Sequence, residues 1–218
     1  MGLNKQKGNM YGFVNYTWNV IKGICPHQCS YCYMKGLVKS ELHLDEKELK
    51  TDLGEGNFIF IGSSTDMFAD KIPKEWILKV LEHCKKYPKN KYLFQSKNPK
   101  RFEEFLDLFP KNTILGTTIE TNRKGFNYNA PEVSERQYHI QQDKFPIMIT
   151  IEPIMDFDLE IFLAWLKDIK PKWINIGADS KRHNLPEPSW EKVERLIFEL
   201  KKFTEVKVKD NLWRLKNE

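Results

Sequence analysis

Cysteine is scarce in this 218-residue chain, with four in all, and so few over such a length exclude a secreted disulfide scaffold. No apolar run approaches the roughly 18 residues needed to cross a bilayer. The opening Met1-Gly-Leu-Asn-Lys-Gln-Lys carries no apolar stretch behind its lysines, which speaks against an export leader. Also missing are a Ser/Gly-rich linker, a low-complexity tract and any block of like charge. Lys+Arg 35 against Asp+Glu 30 leaves only +5, spread along the chain as a solvated surface. With 40% hydrophobic residues the chain can bury one sizeable core, so the expectation is a single soluble, cytoplasmic domain over residues 1–218. A pI near 8.8 permits contact with nucleic acid without arguing for it, because a groove that tracks phosphates needs clustered Lys and Arg.

What the sequence does contain is alternation. Runs rich in Phe, Ile, Tyr and Thr at residues 13–18, 58–61, 91–95, 113–119, 147–151 and 173–176 read as strands, and residues 205–208 are a short seventh candidate. Between them lie helical stripes. One, over residues 73–87, places Trp76, Ile77, Val80, Leu81 and Cys84 on one face with Pro73 at a first helical position. A second runs Leu159, Phe162, Leu163, Leu166 and Ile169. A third runs Val193, Leu196, Ile197 and Leu200, with Pro188 at the helix start and a tail to residue 218. Residues 122–142 are polar and poorly periodic, a long loop with a weak helix. Trp18 and Trp76 read as core, with Trp165 on a stripe's flank and Cys84 a buried thiol.

Strand, helix, strand repeated about six times implies a parallel sheet. A closed eight-unit barrel usually takes about 250 residues, so the fold class expected is α/β, an incomplete (β/α)6-type parallel barrel. Ligands of such folds gather at the C-terminal strand ends. Those ends carry the unusual residues: Gly62-Ser63-Ser64-Thr65-Asp66, Gln95-Ser96-Lys97-Asn98, Glu120, Glu152, and Gly177-Ala178-Asp179. The near-repeats Thr-Ile-Glu at 118 and 150 and Ile-Gly at 61 and 176 suit successive units of one barrel.

Directly after the first strand comes Cys25-Pro-His-Gln-Cys29-Ser-Tyr-Cys32, in a loop of residues 23–34. Thiolates spaced C-x3-C-x2-C on a loop that wraps can converge on one metal centre. Three of them saturate neither a tetrahedral zinc nor a four-iron cluster, so a position stays open for chemistry.

Followed by the aromatic Tyr33, this motif resembles the radical S-adenosylmethionine (SAM) superfamily. Matching blocks narrow the resemblance to a phage-associated, three-Cys-motif family of that superfamily whose activity is unassigned: Thr17-Trp18-Asn19, Ser64-Thr65-Asp66-Met67-Phe68, Lys97-Asn98-Pro99, Thr118-Ile119-Glu120-Thr121-Asn122, Ile151-Glu152-Pro153 and Asn175-Ile176-Gly177-Ala178-Asp179-Ser180. The Cys-Ser-Tyr-Cys-Tyr stretch is more distantly similar to spore photoproduct lyase.

The resemblance implies a 4Fe-4S cluster on Cys25, Cys29 and Cys32, with SAM on its fourth iron, cleaved reductively to a 5′-deoxyadenosyl radical. It implies Tyr31 near adenine, and Gly62, Ser63, Ser64, Thr65 and Asp66 where the superfamily binds the SAM amino group, although the usual Gly-Gly-Glu is absent. It implies Glu120 at the ribose hydroxyls and Lys97 at the SAM carboxylate. Glu152 and Asp179, further round the barrel, would face the substrate, for which nucleic acid or a nucleotide is one class. An external flavodoxin- or ferredoxin-type protein would donate the electron.

Other readings stand beside this one. The cysteines could form a structural zinc knuckle in an adaptor or nucleic-acid-binding module, with His27 or His43 as fourth ligand, or hold a cluster used only for redox sensing or electron transfer. Lys97 and Glu152 could be an ion pair across neighbouring strand ends. His139 and His183 read as loop or surface residues. No extra cysteine remains for a second cluster, and no catalytic thiol can be named. The short length leaves little to cover the barrel mouth, which suits a large substrate or a partner that closes it.

Overall fold

The computed structural model describes residues 2–6, 10–125 and 129–217. In chain order its elements are β1 (Asn4–Lys5), β2 (Tyr16–Trp18), β3 (Ile21–Lys22), β4 (His43–Leu44), β5 (Phe58–Ile61), α1 (Lys74–Lys85), β6 (Lys91–Gln95), β7 (Thr113–Thr118), α2 (Val133–His139), β8 (Ile147–Ile151), α3 (Leu159–Ile169), β9 (Trp173–Ile176), α4 (Trp190–Leu200), β10 (Glu205–Val208) and α5 (Arg214–Asn217). One eight-stranded sheet runs β1-β2-β5-β6-β7-β8-β9-β10. The β1–β2 pair is antiparallel and every other neighbour is parallel. Strand order that follows chain order winds the sheet one way, and β1 and β10 remain its unjoined ends. The fold is an incomplete parallel barrel, with the short strand at 205–208 as its last stave.

Both faces of β5, β7, β8 and β9 are buried, which is why they read as nearly continuous apolar runs. On the outer face Ile59, Ile61, Phe94, Leu115, Ile149 and Ile174 share one core with the helices, through Ile77 and Leu81 of α1, Phe162 and Leu166 of α3, and Leu196 of α4. The inner face is a smaller cluster of Phe60, Leu93, Ile114, Met148 and Trp173. Its plug is the segment before β2. Phe13 stacks on Tyr11 at 5.4 Å between centroids and meets Trp173 edge-on at 5.1 Å. These aromatic residues fill the barrel instead of lengthening a strand, so β2 begins at Tyr16 rather than at residue 13.

The three strong stripes form α1, α3 and α4. Pro73 caps α1 from just outside it, and the Ser189 hydroxyl accepts from Lys192 N at 3.4 Å to start α4. Trp18 is fully buried, Cys84 sits in the core, and Trp76 packs half-buried against it. The polar stretch 122–142 contains α2, and its residues 126–128 lie outside the described residues. A 3-10 helix over Pro99–Phe105 buries Phe102 and Phe105. No helix among the described residues is long and apolar enough to cross a membrane.

Candidate functional site

A cavity of about 520 Å³ opens where the parallel strands end. That volume lies in the range of small-molecule sites. One wall is the cysteine loop. β3 and β4 pair antiparallel, Ile21 opposite Leu44 and Lys22 opposite His43, and so clamp the two ends of residues 23–42 together. At the neck, Gly23 has φ +106, and a Cβ there would lie 2.3 Å from Glu41 O, so no other residue fits. Within the loop, successive turns are held by Gln28 N to Cys25 O at 3.2 Å, Cys32 N to Cys29 O at 3.1 Å and Lys35 N to Cys32 O at 2.9 Å.

Cys25, Cys29 and Cys32 all line the cavity and none is in a disulfide. Burial first, then the Asp66 charge, pushes the Cys25 thiol up to about 11, and burial likewise raises Cys29. Such thiols ionise readily only when a bound metal supplies compensating charge. Both histidines weighed as a fourth ligand are engaged elsewhere: His27 Nε2 lies 2.9 Å from Asp66 Oδ2, and His43 Nδ1 lies 2.8 Å from Glu41 O. Among the described residues no three His, Cys, Asp or Glu side chains are gathered closely enough for a single metal ion. With both histidines engaged, the three cysteines are the thiol donors this wall offers, and three thiols suit a four-iron cluster that leaves one iron to another ligand.

The strand ends β5, β6 and β7 supply the adjoining floor. Gly62, Ser63, Ser64, Thr65 and Asp66 follow β5 and line the cavity. Asn19 Oδ1 accepts from Ser63 Oγ at 3.2 Å and Ser64 N at 3.0 Å, and Thr65 Oγ1 donates to Gly23 O at 2.9 Å. The Asp66 carboxylate accepts from Ser96 Oγ at 3.0 Å, Lys97 N at 2.8 Å and Phe68 N at 3.0 Å, besides His27. Burial alone would raise its pKa, but the His27 ring and the Lys97 and Phe68 amides outweigh burial and hold it below the usual aspartate range.

Tyr31 and Lys97 line the cavity too, whereas Glu120 does not. Glu120 is fully buried behind them, taking hydrogen bonds from Tyr31 OH and from Lys97 Nζ at 2.5 Å, while Arg136 Nη1 of α2 reaches its Oε2 at 2.9 Å. Burial would raise the Glu120 carboxyl, but the Arg136 and Lys97 charges bring it from 4.5 down to about 2. The Lys97 ammonium also bonds Tyr31 OH at 2.7 Å and stands 5.0 Å from the centre of that ring.

Across the cavity, β8, β9 and β10 present the opposite wall. Glu152 pairs with Lys209 at 2.7 Å and accepts from Asn211 Nδ2 at 3.0 Å. Asp179 meets His183 Nδ1 at 2.7 Å and Lys181 N at 3.1 Å. Below them Tyr11 OH bonds Gln95 Oε1 at 2.9 Å and Thr150 Oγ1 at 2.8 Å. Lys97 and Glu152 are thus each ion-paired, but not to each other, because their strands are separated by β7. His183 lies on a loop, as expected, and there it lines the cavity, while His139, the last residue of α2, pairs with Glu103.

Sequence reasoning missed Arg136, which sits in a helix without periodicity, and it weighed His27 only as a fourth metal ligand. Lys209 carried no signal beyond lying just past the last strand.

Residues 10–195 match the model of DUF5131, a family of proteins of unknown function, and the chain belongs to that family. No curated protein matches it in sequence. Its fold is similar to that of solved spore photoproduct lyase structures. One, a variant with bound AdoMet and dinucleoside spore photoproduct, has a TM-score of 0.66 at 11% identity, covering 93% of this chain and 78% of that one. A second, a variant with dinucleoside spore photoproduct, gives 0.67 at 12% identity over the same shares.

Proposed function

We propose that this DUF5131 member is a radical SAM enzyme. The observation that carries the reading is the wall of three free thiols, with the neighbouring His27 engaged by Asp66, at the C-terminal mouth of an incomplete parallel barrel. The likeness in fold to a lyase solved with bound AdoMet supports it. When bound, a 4Fe-4S cluster supplies the electron that cleaves SAM to methionine and a 5′-deoxyadenosyl radical for hydrogen abstraction from a substrate.

The chain's own residues hold and orient. Cys25, Cys29 and Cys32 hold the cluster. The rim at Gly62, Ser63, Ser64 and Thr65, with Tyr31 and Lys97, receives SAM, and Lys97 offers its carboxylate a charge-assisted donor. Glu120 acts through those two side chains, since it is buried behind both. The apolar barrel interior under the cavity keeps water from the reacting atoms. Glu152 and Asp179 on the far wall face the substrate. The class we favour is a nucleotide or nucleic acid, which the dinucleoside held by a protein of similar fold supports and the pI of 8.8 permits. An external flavodoxin- or ferredoxin-type protein delivers the electron.

The test is anaerobic reconstitution with iron and sulfide, then dithionite and SAM, with 5′-deoxyadenosine counted by mass spectrometry. Wild-type protein should form it and Cys29→Ala should not. A colourless zinc protein indifferent to SAM would sink the reading.

A further inference from the structure

The cysteine loop is fastened to the strand ends at residues 23, 27, 31 and 33, which alternate with the cysteines. Gly23 O accepts from Thr65 Oγ1 at 2.9 Å. His27 Nε2 meets Asp66 Oδ2 at 2.9 Å, and because a carboxylate can only accept, the ring donates. Tyr31 OH is bonded by Lys97 Nζ at 2.7 Å, and Tyr33 OH donates to Ser63 O at 2.7 Å. Cys25, Cys29 and Cys32 fall in the intervals.

The fastening at His27 joins two ionisable side chains that are nearly buried. The His27 and Asp66 side chains are only 4% and 11% exposed. From the other side the His27 backbone carbonyl accepts from Asn129 N at 2.9 Å. Asp66 in turn draws together two strand ends: it follows β5 and accepts from Ser96 Oγ and Lys97 N, which follow β6. Both carboxylate oxygens are taken, Oδ1 by Phe68 N and Oδ2 by the other three donors.

The geometry points to Asp66 and His27 as a positioning pair that holds the cysteine loop in register with the SAM-facing rim, with Asp66 acting as a latch instead of a SAM ligand. The inference rests on the function proposed above and assigns two residues of that site. A loop held at 23, 27, 31 and 33 has its thiols oriented by protein contacts, so less ordering entropy opposes cluster binding.

The test compares wild type, His27→Ala, His27→Gln, Asp66→Asn and the His27→Ala/Asp66→Asn double variant after anaerobic reconstitution. Far-UV circular dichroism of the unreconstituted proteins serves as the fold check. Iron retention is read as the rate of loss to a chelator, and SAM affinity as the shift of the cluster spectrum on titration. Expected are a three- to tenfold faster iron loss in His27→Ala and Asp66→Asn, no further loss in the double variant, and recovery of most retention in His27→Gln, whose amide can still donate to the carboxylate.

Iron held as tightly in His27→Ala as in wild type would overturn the inference. So would an Asp66→Asn protein with unchanged iron retention and weakened SAM binding, which is the signature of a ligand. Should Asp66→Asn fail the fold check, the contrast between His27→Gln and His27→Ala decides alone, and equal losses in the two count against the pair. Wild-type protein that takes up no iron contradicts the proposed function instead, so the two failures are distinguishable.

Discussion

The two walls of the cavity spend their charges differently. On the cysteine side the Glu120–Arg136 pair is fully buried at 0% exposure for both partners, and Asp66 is saturated by four donors from three segments. On the far side Glu152 and Lys209 remain 18% and 13% exposed, and a nearly buried Asp179, at 4%, pairs with a His183 that is 24% exposed. Buried charges that face only protein are costly to expose and costly to strand. Shallow pairs at a cavity mouth can exchange partners with an incoming ligand. The first wall is therefore a rigid frame for a cofactor, and the second is a surface that a substrate can re-pair.

The sharpest way to break this contrast is Arg136→Met, which strands the Glu120 carboxylate with Lys97 as its one remaining cation among the described residues. Its expected cost is about 3 kcal/mol in denaturant unfolding, with part recovered by adding Glu120→Gln. A loss below about 1 kcal/mol would mean that the pair is not part of a rigid frame.

Acid provides a second view of the same pair. The Glu120 carboxyl is depressed in the fold, from 4.5 to about 2, so its contribution is fully present above about 4.5 and disappears as pH falls from there towards 2. The stability difference between wild type and Glu120→Gln should shrink across that window. A difference that stays constant with pH would contradict the assignment.

On the far wall the expected effects are smaller. A Cβ on Gly177 would lie 2.8 Å from Glu152 Cδ and 2.9 Å from Asn211 Oδ1, so Gly177→Ala should displace both at a cost of about 1–3 kcal/mol while leaving iron retention unchanged. Glu152→Gln should cost about 1 kcal/mol or less, because its partners are partly solvated, and should alter substrate turnover rather than cluster content. Iron loss in either variant would erase the distinction between the walls.

Much of the frame was legible in the sequence, for physical reasons that differ by element. Strands β5, β6, β8 and β9 are buried on both faces, so their apolar runs are continuous and their bounds were read without error. The polar residues after each strand were legible as a rim because chain order in a parallel sheet brings those ends to one side. The start of β2 was misjudged because Phe13 is apolar for a different purpose, filling the barrel against Trp173.

Arg136 was invisible because α2 is only seven residues long, with Val133 and Arg136 its buried positions, so it shows no stripe. The short β3–β4 ladder was invisible because two residues per strand carry no periodicity. His27 shows how composition misleads. A histidine between cysteines reads as a ligand or an accident, and only the fold brings Asp66 to within 2.9 Å of it.

The most direct measurement of the central claim is the electron paramagnetic resonance spectrum of reconstituted, dithionite-reduced protein before and after SAM is added, alongside iron, sulfide and zinc counted per chain. The account predicts about four irons and four sulfides per chain, little zinc, and a signal whose g-values shift with SAM in wild type and vanish in Cys29→Ala. Zinc at one per chain, or an iron signal indifferent to SAM, would contradict it.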